Sequence, residues 1–202
     1  MTLGDAAMFA QLSPKSAEIV AHTRTLLESG GYNSFSYADI SALVQISKAS
    51  IHHHFPSKVD LVREVVARYR AEASEGLGLL ERQLADPLKE LTAYADYWSS
   101  CIRGGKSSFC IAAMLAAELP TIPPEVASEV RGHFEDLSAW LASTLERGAE
   151  RGQFHLMQSA PLEARAFMSS VYGAMLAARG LDDPDAFESM VQTSIDRLTR
   201  NR

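Results

Sequence analysis

Apolar residues recur along most of the chain at the three- and four-residue spacing of amphipathic α-helices, and helix-capping residues fill the gaps between these runs. The first run covers residues 14–30, with Ser13 placed to cap it. Two short runs follow, over residues 37–44 and 48–55. Only three residues separate them, so the pattern predicts two short helices joined by a tight connection.

The rest of the chain carries longer runs of the same kind. Their starts are marked by Ser57, Pro87, Phe109, Pro123, Pro161 and Pro184. Residues 109–119 are apolar nearly all round, which predicts a buried central helix. No segment alternates as a strand would, and no internal repeat is present. The sequence therefore predicts an all-α fold of nine helices.

The two short helices match the physical description of a helix-turn-helix. Ile51 and Phe55 are spaced to face a small core, so Lys48, Ser50, His52 and His53 fall on the remaining surface of the second helix. Those residues lie near the positive end of the helix dipole, which suits a helix that enters the major groove of DNA.

Composition narrows the ways in which DNA could be bound. The chain has a net charge of −6, which excludes a protein that coats nucleic acid through bulk positive charge. Within residues 1–60 the acidic side chains slightly outnumber the basic ones. These are Asp5, Glu18, Glu28, Asp39 and Asp60 against Lys15, Arg24, Lys48 and Lys58. Binding must therefore depend on where a few cations and helix N-termini lie.

Residues 47–58 read SKASIHHHFPSK, and this stretch resembles the recognition-helix signature of the TetR family of transcriptional regulators. The matching positions are Ser50, Ile51, His54, Phe55, Ser57, Lys58 and Leu61. The resemblance extends over about residues 14–61. It implies a homodimer in which residues 1–60 bind double-stranded operator DNA and residues 61–202 bind a small-molecule effector and dimerise. The dimer contact is expected through the last two helices.

The resemblance also implies which residues contact DNA. They are Ser36, Tyr37, Lys48, Ser50, His52, His53, His54 and Lys58. Among them, His54 is expected to be structural or to contact the DNA backbone, and Lys58 is expected to contact a phosphate. Two positions depart from the family pattern, since Ala49 replaces the usual glycine and His52 replaces a tyrosine that commonly reaches a phosphate.

Aromatic, sulfur-containing and acidic residues of the larger part are candidates for an effector pocket. They are Trp98, Cys101, Phe109, Met114, Glu118, Phe134, Trp140, Phe167 and Tyr172. Each aromatic residue serves equally well in a plain core. Glu118 has three alternatives: a polar ligand group, an arginine partner such as Arg165 or Arg179, or solvent at the helix end.

Small residues on the helix from Pro161 favour close packing against a twofold mate. They occur among Ala164, Met168, Val171, Ala174, Met175 and Ala178. The alternative is that this surface covers only the core of its own subunit.

Competing functions stay open at this point. Cys101 and Cys110 flank one turn, so a thiol-based sensor of oxidants or electrophiles is an alternative; it requires a lowered thiol pKa near a cation such as Arg103 or Lys106. A helical ligand-binding protein with degenerate DNA binding is another.

No catalytic constellation is found, so neither an enzyme nor a cofactor is expected. Consecutive histidines point about 100° apart on a helix, so His52 to His54 do not predict a metal site. Without a long apolar run or a signal peptide, we expect a cytoplasmic protein that avoids membranes.

Overall fold

The computed structural model describes residues 12–104 and 109–200, and this part of the chain forms nine α-helices and no strand. The helices are α1 (Pro14–Gly30), α2 (Tyr37–Val44), α3 (Lys48–His54), α4 (Lys58–Leu84), α5 (Pro87–Arg103), α6 (Ile111–Ala117), α7 (Pro124–Glu150), α8 (Ala160–Leu181) and α9 (Pro184–Thr199). A 3-10 turn, Tyr32–Ser34, lies between α1 and α2. The all-α prediction is confirmed. None of the described helices is long and apolar enough to cross a lipid bilayer.

Short polar side chains begin the helices of the N-terminal part. Ser36 and Asp39 form a reciprocal capping box at α2, in which the Ser36 amide donates to the Asp39 carboxylate at 2.7 Å. Ser47 and Ser57 accept hydrogen bonds from backbone amides in the first turns of α3 and α4. Because these capping contacts join residues close together in the chain, the starts of the helices can be predicted from the sequence.

The central helix α6 is shorter than predicted, since it covers Ile111–Ala117 instead of residues 109–119. Cys110 adopts an extended backbone and offers no side-chain cap. Phe109 and Cys110 are instead buried in the core before the helix begins. The stretch is therefore apolar because its first two residues fill the core from a loop and the following ones from the helix.

The helix α4 belongs to both parts of the molecule. The Arg24 side chain of α1 donates a hydrogen bond to the carboxylate of Glu72, in the middle of α4, at 2.6 Å. Arg70, also on α4, donates to Asp136 of α7 at 2.6 Å. The predicted division between residues 60 and 61 falls in the first turn of this helix, so α4 joins the two predicted domains mechanically.

The residues of α8 predicted to meet a second subunit mostly face the interior. Ala164, Val171, Ala174, Met175 and Ala178 are at most 3% exposed, because α8 packs against α7 and α9. The prediction for these residues is wrong. The opposite face of α8 points outward and carries Leu162, Ala166, Ser169, Gly173, Leu176 and Gly180.

Candidate DNA interface and ligand cavity

The helix-turn-helix is held by contacts made within its own three-residue connection. Gln45 has a φ of 55°, in the left-handed region, and turns the chain after α2. The Ser41 hydroxyl donates to the Ile46 carbonyl at 2.5 Å. Ile51 is completely buried and anchors α3 against the small core. The recognition helix is therefore fixed in orientation despite having only seven residues.

One face of α3 is exposed, and it includes three of the residues predicted to bind DNA. Exposed on this face are Lys48, Ala49, His52 and His53. Ser36 is also exposed, but its hydroxyl donates to Asp39 at 2.8 Å. Ser50 and His54 are half-buried. The side chains that reach out furthest are thus basic or imidazole groups.

Two residues predicted to contact DNA have their polar atoms occupied inside the protein. The Tyr37 hydroxyl donates to the Phe55 carbonyl at 2.9 Å, and burial raises the pKa of Tyr37 to about 12, so it stays a neutral donor. His54 Nδ1 lies 3.0 Å from the Ser16 hydroxyl. These bonds fasten α3 to α2 and α1. Tyr37 and His54 position the recognition helix.

His52 takes part in a bond that fixes its tautomer. Its Nδ1 lies 3.0 Å from the Pro56 carbonyl, which can only accept, so Nδ1 carries the hydrogen. In a neutral ring, Nε2 is then an acceptor. A histidine in this arrangement can donate to a DNA phosphate only when it is protonated. This differs from the tyrosine expected at the position, whose hydroxyl donates at any ordinary pH.

Lys58 is bound to the turn that precedes α2. Its ammonium donates to the Tyr32 carbonyl at 2.6 Å and to the Phe35 carbonyl, and it lies over both aromatic rings. Burial lowers the pKa of Lys58, while the carboxylates of Glu118 and Asp39 act in the opposite direction. An ammonium has three N–H donors. One therefore remains for the predicted phosphate contact.

Glu118 holds the same turn from the other side. Its carboxylate accepts hydrogen bonds from the backbone amide of Tyr32 at 2.6 Å, from the backbone amide of Asn33 at 3.3 Å and from the side-chain amide of Asn33 at 3.1 Å. Gly31, with a φ of 78°, allows this approach, because a Cβ there would come within 2.4 Å of the carboxylate. Glu118 faces neither a ligand cavity nor an arginine. It ties the end of α6 to the helix-turn-helix.

A cavity of about 320 Å³ lies among α4, α5 and α7, with single residues added by α1 and α8. It is lined by Arg24, Tyr69, Glu72, Ala73, Gly76, Leu77, Leu80, Ala93, Tyr94, Tyr97, Trp98, His133, Leu137 and Tyr172. Its wall is aromatic and aliphatic. The ion pair between Arg24 and Glu72 supplies its formal charges.

Of the nine residues predicted for an effector pocket, Trp98 and Tyr172 line this cavity. The others do not: Cys101, Phe109, Met114, Glu118, Phe134, Trp140 and Phe167. Phe134 and Trp140 lie directly behind the wall. Their rings pack on those of Tyr172 at 5.1 Å and Tyr94 at 5.9 Å. The sequence pointed to α5, α7 and α8, but it missed α4, which supplies much of the wall, and it included α6, which supplies none of it.

Away from the Arg24–Glu72 ion pair, the polar groups His133, Tyr69 and Tyr172 of the cavity wall are uncharged. Burial lowers the pKa of His133 to about 4 and raises the pKa values of Tyr69 and Tyr172 well above their usual range. His133 Nε2 lies 3.3 Å from the Tyr172 hydroxyl, and Tyr69 bonds to the Cys110 thiol at 3.0 Å. At neutral pH this part of the wall holds no charge.

Comparisons with known proteins decide the family. A profile described as bacterial regulatory proteins, tetR family, matches residues 19–65, and one described as tetracyclin repressor-like, C-terminal domain, matches residues 87–194. A TetR family transcriptional regulator from Agrobacterium tumefaciens is 48% identical and superposes with a TM-score of 0.90, over 92% of this chain and 98% of that one.

The chain belongs to the TetR family. It is a DNA-binding transcriptional regulator. A TetR regulator from Legionella pneumophila shares the fold at 24% identity, over 94% of this chain and all of that chain, with a TM-score of 0.82. A regulator from Saccharomonospora viridis in complex with choline shares it at 20% identity, over 92% and 98% of the chains, with a TM-score of 0.79. A comparison with curated protein sequences returns no match.

The small residues of α4 are the sequence signal that could have located the cavity. Along the inward face of α4, Tyr69 is followed by Ala73 and Gly76, and all three line the space. Small side chains on a face that should be filled leave room behind them. The contribution of Arg24 from α1 carries no such signal, since it depends on how α1 and α4 cross.

The thiol of Cys110 does not have the properties that a sensor requires. It is fully buried, burial raises its pKa, and the hydroxyls of Tyr69 and Tyr172 lie at 3.0 and 3.8 Å from the sulfur. Arg103, the expected cation, pairs with Asp185 at 2.9 Å instead. Lys106 lies outside the described residues. The lowered pKa needed for thiolate chemistry is therefore absent at Cys110.

Proposed function

We propose that this TetR-family protein is a homodimeric repressor that leaves its operator when a small molecule fills the cavity among α4, α5 and α7. The observation that supports it is that α4 both lines the cavity and begins against the helix-turn-helix. A ligand that favours one tilt of α4 changes where the recognition helix lies. Since operators are chromosomal, we place its action in the cytoplasm.

We propose that DNA is contacted by the exposed face of α3. Lys48 and His53 reach out from it, His52 adds a donor when protonated, and Ser50 lies in the first turn. Lys58 offers its remaining N–H to a phosphate at the start of α4. Because residues 1–60 are not basic overall, this placement of a few groups supplies the attraction that bulk charge does not.

We propose that two subunits meet through α8 and α9, with the outward face of α8 at the centre. Leu162 and Leu176 are 51% and 63% exposed in the isolated chain, and Leu181 at the end of α8 is 68% exposed. Small residues between them let another helix approach closely. Exposed apolar side chains in such an arrangement are typical of an interface. Dimerisation would bring two recognition helices to successive major-groove faces, about 34–36 Å apart.

The relative bound to choline shows that this fold holds a small molecule in at least that protein. In this chain, two routes would carry the effect of a ligand to α3. One is the tilt of α4. The other starts at Tyr69 and Tyr172, passes to Cys110 just before α6, and ends where Glu118 accepts a hydrogen bond from the 3-10 turn.

Selection from a random duplex library tests the DNA-binding part of this proposal. Wild-type protein should enrich a pseudo-palindrome whose half-sites are centred about 10 base pairs or a small multiple apart. Lys48→Ala should enrich a different or weaker consensus. Failure to retain any duplex DNA, even at low salt, would instead support the alternative of degenerate DNA binding.

Blocking the cavity tests the release part. Ala73 lines the space and Ser74, its neighbour on α4, is exposed to solvent. Ala73→Phe should keep operator affinity and lose release by any small molecule that releases the wild type, and Ser74→Phe should respond normally. Full release of Ala73→Phe, with unchanged ligand affinity, would place the effector elsewhere.

Replacement of Glu118 tests the second route. Glu118→Ala removes three hydrogen bonds between α6 and the turn, so we expect ligand affinity to stay and the ligand-induced change in operator affinity to fall by about fivefold or more. Operator dissociation constants with and without saturating ligand measure this change. Glu125→Ala is the matched control, since Glu125 is a nearby exposed carboxylate. An unchanged response in Glu118→Ala would assign the coupling to α4 alone.

A further inference from the structure

Two hydrogen-bond donors on the cavity wall have no hydrogen-bond partner within residues 12–104 and 109–200. Tyr94 Oη and Trp98 Nε1 are buried atoms without a hydrogen bond, and each residue is 6% exposed. Both side chains line the cavity. A buried polar group left unpaired is unfavourable by roughly 1–3 kcal/mol, so native proteins rarely keep one unless something else satisfies it. Two such groups facing one cavity would be satisfied by a hydrogen-bond acceptor bound there.

Tyr94 and Trp98 lie four residues apart on α5, so their side chains are neighbours on one face of the helix. Burial raises the pKa of Tyr94, so its hydroxyl keeps its hydrogen. An indole N–H is a donor only, and a neutral phenol can donate. The complementary ligand group is therefore an acceptor, such as a carbonyl oxygen with its two lone pairs.

The other polar groups of the wall leave no place for a charged ligand. His133 and Tyr172 bond to each other, and Tyr69 bonds to Cys110. At the cavity edge, the Arg24 guanidinium is held by Glu72 at 2.6 Å and by Glu28 at 3.2 Å. Without a free counter-ion, transfer of an ion from water into this space is costly.

The aromatic side chains could instead suggest a cage for a quaternary ammonium, as in cation–π recognition. Two features argue against it. The indole N–H of Trp98 is a donor only, so a cation cannot satisfy it. The Arg24 guanidinium already lies over the Tyr69 ring, at 5.3 Å from its centroid, and is paired with the Glu72 carboxylate. A cation entering the cavity would have to compete with Arg24 for both.

We propose that the cavity binds an uncharged aromatic carbonyl compound of one or two rings, whose oxygen accepts hydrogen bonds from Trp98 Nε1 and Tyr94 Oη. The flat ring system would pack among the aromatic side chains of the wall. A volume of about 320 Å³ fits such a molecule and is near the small end of known ligand pockets. This inference rests on the proposed function in taking the cavity as the effector site.

Four probes of nearly the same shape test the ligand class by calorimetry on the DNA-free protein. They are 2-acetylnaphthalene, 2-isopropenylnaphthalene, 2-naphthoate and trimethyl(2-naphthyl)ammonium. The ketone should bind about tenfold or more tightly than the isopropenyl hydrocarbon, since only the ketone satisfies the two donors. Both ions should bind more weakly than the ketone. Equal affinity of ketone and hydrocarbon, or tightest binding of either ion, overturns the proposal.

Variants test the two donors themselves. Trp98→Phe and Tyr94→Phe each remove one donor, so each should reduce the preference for the ketone over the hydrocarbon by about threefold or more. Trp140→Phe is the matched control, because its indole N–H is also buried and unpartnered but does not line the cavity. It should keep the full preference. A preference that survives in both Trp98→Phe and Tyr94→Phe overturns the proposal.

Thermal unfolding separates a ligand-binding role from a structural one. Tyr94→Phe removes an unsatisfied buried hydroxyl, so the ligand-free variant should unfold at the wild-type temperature or above it. A marked fall in its unfolding temperature would mean that the hydroxyl has a protein partner, against the proposal.

The two proposals fail in different ways. If the ketone preference depends on Trp98 and Tyr94 but the ketone leaves operator affinity unchanged, the ligand class stands and effector-controlled release falls. If molecules without an acceptor bind best and release DNA, release stands and the ligand class falls.

Discussion

Gly173→Arg is expected to convert the protein from dimers to monomers and to reduce operator affinity by a factor of about 10² to 10⁴. Gly173 lies on the outward face of α8, and no atom of the described residues beyond its own stretch of helix backbone lies within 4 Å of a Cβ added there. The arginine is therefore tolerated by the isolated fold. In a dimer packed through this face it would place a long charged side chain between two helices. Loss of the second half-site contact removes the gain from bivalent binding.

Light scattering and operator binding measure the two effects together. Ser74→Arg is the control, because Ser74 is also exposed on a long helix but lies on α4 and does not line the cavity. This control should stay dimeric. A dimeric Gly173→Arg with wild-type operator affinity would show that the subunits meet through another surface.

The positions of the helices could be predicted because the signals that begin and end them are local. The capping box of Ser36 and Asp39 needs only residues three apart, and Pro87 and Pro184 fix the first turns of their helices. The helix α6 is the exception, because its start could not be predicted from its apolar residues. An apolar run does not say whether Phe109 fills the core from a helix or from a loop.

The direction of each helix face was harder to predict, because it depends on how distant helices pack. Both faces of α8 carry small residues, so Ala164 and Ala174 were as plausible at an interface as Ala166 and Gly173. Packing against α7 and α9 decides between them. Sequence spacing alone cannot, since it gives the two faces without saying which neighbours cover them.

The partners of polar residues at the two candidate sites could not be predicted, for a related reason. Tyr37, His54 and Glu118 have the chemistry of contact residues, and each is used to join helices within the subunit. Their partners are backbone atoms or hydroxyls up to 86 positions away. Residue type predicts that such a group needs a partner, and only the fold shows which partner it has.

Acid should destabilise the protein through His133, which is buried beside the cavity. Its pKa is about 4 in the folded chain and near 6.5 when the chain is unfolded. Between these values the unfolded chain binds a proton that the folded chain does not, so the free energy of unfolding decreases as the pH falls through this window. For this residue alone, the decrease from pH 7 to pH 4.5 should be about 2–3 kcal/mol.

Denaturant unfolding of wild type and His133→Phe at matched pH values isolates this contribution from that of the carboxylates. The phenylalanine keeps a ring against Tyr69 and Phe134 but cannot bind a proton, so His133→Phe should lose about 2–3 kcal/mol less stability than wild type over the same pH range. Its stability at pH 7 will differ from wild type because the bond to Tyr172 is lost, and only the change with pH is compared. His155→Asn is the control, since His155 is exposed, and it should follow the wild-type curve. Parallel curves for wild type and His133→Phe would mean that the imidazole binds a proton as readily in the folded chain as in the unfolded one, and the assignment of His133 as a group kept neutral by burial beside the cavity would then be wrong.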